Sequence, residues 1–446
     1  YTQYYASRMF YYGDVRGDDM QARTQGMRSS SCYEMKYTID DAPNMWNVQY
    51  NVLRRANRLI EAVENNKITD AEKNQANVNN IYAQAKSVRA LVHFDLVKVY
   101  GMPYSFDNGA SMGVPIVTTP IDPLNASAIP GRNTVAEVYT QIVKDLTEAI
   151  DSKALNVSKS AGDNQGFIDE WAAKALLTRV YIYMGKNQEA LDMAKNIIEN
   201  SPYSLWTKAQ YANAWDKNNA NHINEMIFEL VNSGSDDWAD REGIAYLYHE
   251  DGYADAICTK SFVDMLAQDP SDVRLDVILP VQLKTDDNGK PTDMYKTYGD
   301  NRIFINKFPM GSLGDMRLNN LPILRLSEVY LNAAEAAAKL NDKTSTAKYL
   351  NEIIKNRTDD TKQLVTESTA TLERVLLERR KELVGEGQRF FDAMRNNETV
   401  TRYTNEDEKG WHYSINKESQ VFDRTYFRTI LPIPVSETNA NPTLKA

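Results

Sequence analysis

Residues 171–202 read WAAKALLTRVYIYMGKNQEALDMAKNIIENSP, and the spacing within them decides the fold class. Leu177, Tyr181, Gly185, Ala190 and Pro202 stand at the mutual offsets of a tetratricopeptide repeat, a helix–turn–helix unit of about 34 residues. Each has a packing reason. Gly185 permits the tight turn, Ala190 lets the two helices approach closely, and Pro202 ends the second helix. Residues 328–357 repeat the pattern more loosely, with Asn341 at the turn and Ala347 near the close-approach position. Arg89–Gly101 and Thr134–Ile150 suggest another unit, split by a Pro-rich loop. The units are not contiguous, so the expected scaffold is an interrupted solenoid rather than a regular one.

Working outward, Val48, Val52, Ala56, Leu59, Ile60 and Val63 form one stripe, which predicts a helix from Trp46. Asp70 reads as the N-cap of the next helix, which runs through Ile81, Val88, Leu91, Leu96 and Val99 to Tyr100-Gly101. Gly101 is expected there as a left-handed stop. Five prolines between Met102 and Pro130 make that segment an extended loop. Thr134 with Glu137 is a capping box ahead of the stripe Val135, Val138, Ile142, Leu146 and Ile150. A long insertion, about 203–320, carries Asp269-Pro270 and Lys307-Phe308-Pro309 breaks and a strand candidate at Val281–Thr285 before an Asp287-Asn288-Gly289 turn. Helix is expected to return at Leu324. The reading is a mostly α chain, 1–446, as one continuous domain. Its helical scaffold covers about 46–200 and 321–398, the insertion about 203–320 carries short strands, and the tail 399–446 is irregular. Tyr1 to Met45 shows no sustained period.

Composition agrees. The chain holds only 20 Gly and 15 Pro in 446 residues, under a tenth, which favours long helices over many turns. Net charge is −10 with no basic block, so nucleic-acid binding is not expected. No apolar run approaches the ~20 residues that span a bilayer. Cys32 and Cys258, alone and far apart, exclude a disulfide scaffold and a zinc ribbon. The 26 Tyr and 6 Trp against 12 Phe hint at aromatic rings on partly wet surfaces. The chain opens at Tyr1 without an initiator Met, a basic stretch or an apolar run, as expected of a trimmed or mature form.

Little in the sequence carries chemistry. His93, His222, His249 and His412 are scattered, and no zinc, EF-hand, phosphate-loop, dinucleotide or serine-hydrolase motif is present. No metal or cofactor is expected. The cluster Asp236, Asp237, Asp240, Glu242, Glu250, Asp251 and Asp255 reads first as a solvated acidic loop. Its alternatives are the paired carboxylates of a glycosidase and a calcium site of loop oxygens. The charged stretch Glu378 to Arg395 reads as helix ends interlocked by ion pairs.

Five ordered blocks nonetheless resemble one family. Trp46-x3-Tyr50 stands with Arg55-Ala56-Asn57-Arg58. Arg89-Ala90 runs to Phe94-Asp95-Leu96-Val97, Tyr100-Gly101 and Val114-Pro115-Ile116-Val117. Arg132-x-Thr134 follows with Val138-Tyr139 and Asp145-Leu146. Then come Arg325-Leu326-Ser327-Glu328-Val329-Tyr330-Leu331, and Glu378-Arg379-Arg380-x-Glu382-Leu383 through Glu386-Gly387-x-Arg389 and Asp392, with Leu431-Pro432-Ile433-Pro434 near the end. Together they resemble the SusD/RagB family of cell-surface nutrient-binding lipoproteins. The resemblance implies a helical, tetratricopeptide-like fold without catalysis. It also implies a lipid-anchored outer-membrane location, a SusC-like TonB-dependent transporter as partner, and a glycan ligand, with peptide as the alternative. Neither Cys32 nor Cys258 can be the lipidated residue.

Ligand contacts in that family are loop aromatics beside Asn or Arg. By region the candidates here are Tyr33, Tyr37, Asn44 and Trp46 before the first long helix, and Trp238, Tyr246, Tyr248, Tyr253, Tyr295 and Tyr298 in the insertion. Trp46 and Trp171 read as packing residues. Trp238, in a polar loop after Ser233-Gly234-Ser235-Asp236-Asp237, leads the expected platform.

Overall fold

The computed structural model describes residues 2–22, 30–120, 130–216, 222–232, 243–249, 252–278, 303–308, 315–404, 412 and 415–445. They are mostly helical. The long helices are α3 (Trp46–Glu64), α4 (Gln75–Tyr100), α5 (Val135–Asp151), α6 (Glu170–Met184) and α7 (Asn187–Asn200). After the insertion come α11 (Leu326–Lys339), α12 (Lys343–Lys355), α13 (Leu372–Leu383) and α14 (Arg389–Arg395). Helices α3, α4, α5, α6 and α7 pack in sequence, and α7 then packs on α11. The helical stack therefore continues across the insertion. Arg179 of α6 locks the junction, donating to Glu328 of α11 at 2.6 Å and to the Ile323 carbonyl at 2.6 Å.

Local rules explain the hairpins. Gly185 closes α6 in the left-handed conformation with φ 71°, and Asn341 does the same between α11 and α12 with φ 61°. Thr134 and Glu137 form the capping box. Other expectations are corrected. Helix α4 begins at Gln75, because Asp70 heads only a single 3₁₀ turn, Ala71–Lys73. Gly101 is extended, not left-handed; a Cβ there would lie 2.9 Å from the Val97 carbonyl oxygen, so close approach is what demands glycine. The buried face of α3 is Trp46, Gln49, Leu53, Ala56, Asn57 and Ile60, so Ala56 and Ile60 of the expected stripe are buried while Val48, Val52, Leu59 and Val63 lie at its margin; Asn57 donates to the Val117 carbonyl at 2.9 Å. Residues 321–325 form a strand, and the helix returns at Leu326.

The described part of the insertion is more helical than expected. It holds α8 (Lys208–Ala214), α9 (Ile244–Tyr248) and α10 (Lys260–Leu266) besides strands β2 (Met226–Leu230) and β3 (Ala256–Cys258). The Val281–Thr285 strand and the turn at Gly289 lie outside the described residues. Strand β2 pairs antiparallel with β4 (Leu321–Arg325), while β3 pairs with β1 (Met20–Ala22). In the tail, β5 (Val400–Thr401) pairs with β6 (Val421–Phe422), and the short helix α15 (Val435–Ala440) follows.

The aperiodic N-terminal segment is core. A π-helical turn (Thr2–Phe10), α1 (Tyr11–Val15) and α2 (Ser30–Glu34) bring Tyr4, Tyr5, Phe10, Tyr11, Tyr12 and Tyr33 into the buried cluster. Tyr4 and Tyr5 both donate to Asp95, at 3.0 and 2.5 Å. The tyrosine excess thus fills the interior as well as wet surfaces, and hydroxyls such as those of Tyr4 and Tyr5 bond a buried acceptor.

Candidate functional site

The first residue of α3 builds the site. Asn44 accepts from the Asn47 N–H at 3.4 Å, and the Met45 N–H donates to the Tyr100 hydroxyl at 3.1 Å, so the start of α3 is pinned to the end of α4. Trp46 then meets Tyr100 edge to face at 5.1 Å and Tyr50 at 4.6 Å. One edge of this aromatic cluster opens on a groove of about 570 Å³ between α3, the Pro115–Val117 segment and α15 with the turn after it. Its floor is apolar, from Trp46, Tyr50, Pro115, Val117, Pro130 and Leu444. Its rim is polar, from Asn47, Asn51 and Arg54 on one exposed stripe of α3, opposite Glu437 and Asn441.

Buried side chains hold this floor rigid. Tyr50 donates to the Pro115 carbonyl at 3.0 Å. Val117 donates its N–H to His93 Nε2 at 3.2 Å and accepts from Asn57 at 2.9 Å. Arg89 donates from Nη1 to the Thr118 carbonyl at 2.9 Å while its Nε and Nη2 pair with Asp145, at 2.8 and 2.7 Å. Backbone fixed at so many points presents a preformed surface.

A second depression of about 400 Å³ lies on the far side of Tyr100. Ile39, Tyr37, Arg132, Arg428 and the Ile430–Ile433 segment line it, together with Phe427, which is 70% exposed. Arg428 stacks over Phe427 at 4.6 Å and donates to the Tyr426 hydroxyl at 3.1 Å. Both depressions pair apolar rings with amides or guanidinium groups. Such a surface can stack on a flat apolar face and bond the hydroxyls around it.

Comparison with known proteins assigns the architecture. Residues 182–446 match the model of the SusD family, and residues 3–182 match a model described as starch-binding associating with outer membrane. The chain belongs to the SusD family. Over 99% of its length it superposes on 95% of a SusD superfamily protein of Bacteroides thetaiotaomicron, with TM-score 0.86 and 38% identity. A surface glycan-binding protein A of Bacteroides uniformis shares the fold, with TM-score 0.71 over 98% of this chain and 92% of that one, at 20% identity. The SusD-like protein P25 of Formosa agariphila is 23% identical over 92% of this chain and 78% of its own. Among the described residues no helix is long and apolar enough to cross a membrane.

In this SusD-family chain the expected contact residues scatter. Tyr246 and Tyr253 come together, half-buried, with ring centroids 5.4 Å apart and the Tyr253 N–H bonded to the Tyr246 carbonyl. Tyr248 does not join them. It is fully buried, donating to Asp14 at 2.7 Å, because α9 turns it inward onto the N-terminal segment. Tyr37 is 3% exposed and its hydroxyl is bonded to the Arg428 carbonyl, yet it is among the residues lining the second depression. Tyr33 is buried against His412 at 6.0 Å. Asn44 is exposed beside the groove but occupied in starting α3. Trp238, Tyr295 and Tyr298 lie outside the described residues, as do Asp236, Asp237, Asp240, Glu242, Glu250 and Asp251; Asp255 is buried. Trp46 packs as expected, yet its edge also lines the groove. Sequence reasoning missed that, although Asn47, Asn51 and Arg54 at helical spacing mark the stripe beside it.

The ionisable groups of the interior serve packing. Arg325 joins Glu225, Glu382 and Glu386 at 2.8, 2.6 and 2.8 Å, and Arg357 joins Glu382 and Glu225 at 2.8 and 3.1 Å. Burial alone raises the Glu382 carboxyl, but the guanidinium groups of Arg357 and Arg325 prevail and hold it well below the ordinary range. Among the described residues no group of histidine, cysteine and carboxylate side chains could hold a metal ion.

Proposed function

We propose that this protein captures glycan at the cell surface without altering it and delivers it to a SusC-like TonB-dependent transporter. In this reading the protein sits on the outer membrane, held by a lipid anchor. The observation that carries the reading is the groove beside Trp46, an apolar floor of rings and prolines with Asn47, Asn51 and Arg54 at its rim. The names of its relatives point the same way, since one is a surface glycan-binding protein and one matching family model is starch-binding. A glycosidase needs two carboxylates facing across the scissile bond. Among the described residues Glu437 is the one carboxylate lining either depression, which favours binding over hydrolysis.

Calorimetric titration of the whole chain with a panel of oligosaccharides and of peptides tests this. Binding to an oligosaccharide is expected at Kd of about 10⁻⁵ to 10⁻³ M, equivalent to roughly 4–7 kcal/mol, unchanged by a chelator. A ligand this weakly held can be released to a transporter. The double substitution Asn47→Ala, Asn51→Ala is expected to weaken binding about tenfold, ~1.4 kcal/mol, with an unchanged melting temperature because both residues are exposed. Loss of binding on Tyr253→Ala instead would move the site to the insertion. Shortened products would mark an enzyme, and titration by peptides alone would mark a peptide carrier.

A further inference from the structure

The arginines of this molecule differ in their partners. Buried Arg16 and Arg402 bond to backbone carbonyl groups. Arg179, Arg274, Arg325, Arg357, Arg379 and Arg395 are buried, and each is ion-paired within the fold. Arg54, Arg58, Arg424 and Arg428 are exposed or half-buried and form no salt bridge among the described residues. In a chain of net charge −10 carboxylates are plentiful, yet among the described residues none forms a salt bridge with these four; Asp41 and Asp423 act on Arg428 and Arg424 only through longer-range attraction.

Their places are not random. Arg54 stands on the rim of the 570 Å³ groove, its Nη2 donating to Asn51 at 3.1 Å, and Arg58 follows one turn later on the same stripe of α3. Arg428 lines the second depression, oriented by the Phe427 ring and by bonds to the Tyr37 carbonyl and the Tyr426 hydroxyl. Arg424 is set over Phe106 at 5.4 Å and bonded to Ser105. The opposing charges on this face are few. Glu437 lines the groove, and Asp40 and Asp41 lie in the turn before α3. Asp41 accepts from the Thr38 N–H and hydroxyl and also attracts Arg428, while Asp423 accepts from Thr425 and attracts Arg424. Glu61, further along α3, is 3.3 Å from Lys67. A guanidinium held against a ring and outside any salt bridge, as that of Arg428 is, forms a preoriented fork for carboxylate or sulfate oxygens.

We infer that the groove and its neighbouring depression take an anionic glycan, one bearing uronate carboxylates or sulfate esters, read by Arg54 and Arg428. The inference rests on the glycan-binding reading and adds its charge. Two of the four arginines line concave, aromatic-floored depressions, which suits a chain of sugar rings better than a flat protein surface.

The test is calorimetric titration of the whole chain with oligogalacturonate, its methyl ester, a chondroitin sulfate oligosaccharide, its desulfated form and a malto-oligosaccharide. An anionic probe is expected to bind at least about tenfold more tightly than its neutral counterpart near 0.05 M salt, and the margin is expected to shrink near 0.5 M as screening lengths fall below about 5 Å. Arg54→Gln and Arg428→Gln, each checked for an unchanged melting temperature, are each expected to lose about tenfold in affinity for the acid but little for the ester. Preference for uronate over sulfate, or the reverse, identifies the source of the charge. Equal affinity for charged and neutral probes, or arginine variants that bind as the parent does, overturns this inference while leaving glycan capture standing. Failure of every glycan overturns the function itself. Unchanged glycan affinity with weakened capture of the transporter barrel assigns these arginines to protein docking and also overturns it.

Discussion

His93 shows how one side chain can govern a site that it does not touch. Its Nδ1 lies 3.1 Å from the Arg89 carbonyl and its Nε2 accepts the Val117 N–H, so the ring must be neutral with the proton on Nδ1. Burial pushes its pKa down to about 4. A depressed pKa contributes stability that is present above the unfolded value, about 6.5, and is lost as pH falls through the folded one. His93 is therefore expected to cost up to about 3 kcal/mol of stability between pH 6.5 and 4. Melting curves across that window should show a pH slope that flattens in His93→Gln, whose amide oxygen can still accept from Val117. Because Val117 lines the groove, glycan affinity is expected to fall over the same window in the parent and less in the variant. Nothing in the periodicity of α4 separates His93 from its apolar neighbours; only its two bonding partners reveal its role.

At the scale of elements, the segment between α13 and α14 is the hub. Gly385 and Gly387 both adopt positive φ, 80° and 70°, so the chain reverses within a few residues and sets Glu382 and Glu386 against Arg325 at the start of α11. Arg357, just beyond α12, and Glu225, just before β2, complete the cluster, and Arg357 also donates to the Trp206 carbonyl at 2.7 Å. Scaffold and insertion are thereby joined through one buried ionic network. Removing one charge leaves its partners uncompensated in a dry interior. Glu382→Gln is accordingly expected to destabilise the fold by about 3–5 kcal/mol, seen as a fall in the denaturation midpoint. The charge alternation from Glu378 to Arg395 did announce an interlocked helix end. Its partners Glu225, Arg325 and Arg357 stand too far away in the chain for any spacing rule to find.

Over the whole molecule, the N-terminal segment is what closes the structure. A Cβ on Gly13 would lie 2.0 Å from the Gly387 carbonyl oxygen, so α1 touches the hub backbone to backbone. Asp14 accepts from the Gly387 N–H at 3.0 Å and from Tyr248 at 2.7 Å, which ties the hub to the insertion as well. Asp18 pairs with Arg389 at 2.6 Å, and Asp19 accepts from Arg380 at 3.2 Å. A chain shortened by its first 22 residues is therefore expected to lose fixed tertiary packing while keeping much of its helix. Near-ultraviolet circular dichroism should collapse while the far-ultraviolet signal largely persists. A sharp, parent-like melting transition in the shortened chain would show that the segment is dispensable.

The sequence by itself determined the helix type, the hairpins at Gly185 and Asn341 and the capping box at Thr134, because each is written in contacts between residues a few positions apart, and the family through five short blocks in a fixed order. It also carried the reading of Glu378 to Arg395 as structural. Tertiary structure alone decided which aromatics are interior. Tyr37 and Tyr248 have the same local context as ligand-contact tyrosines, and burial depends on what the chain brings over them from far away: Arg428 for one, Asp14 for the other. The same holds for the groove. Trp46, Pro115 and Leu444 line one concave surface because α3, a Pro-rich loop and the C-terminal turn converge, and convergence of distant segments leaves no period in the sequence to be read.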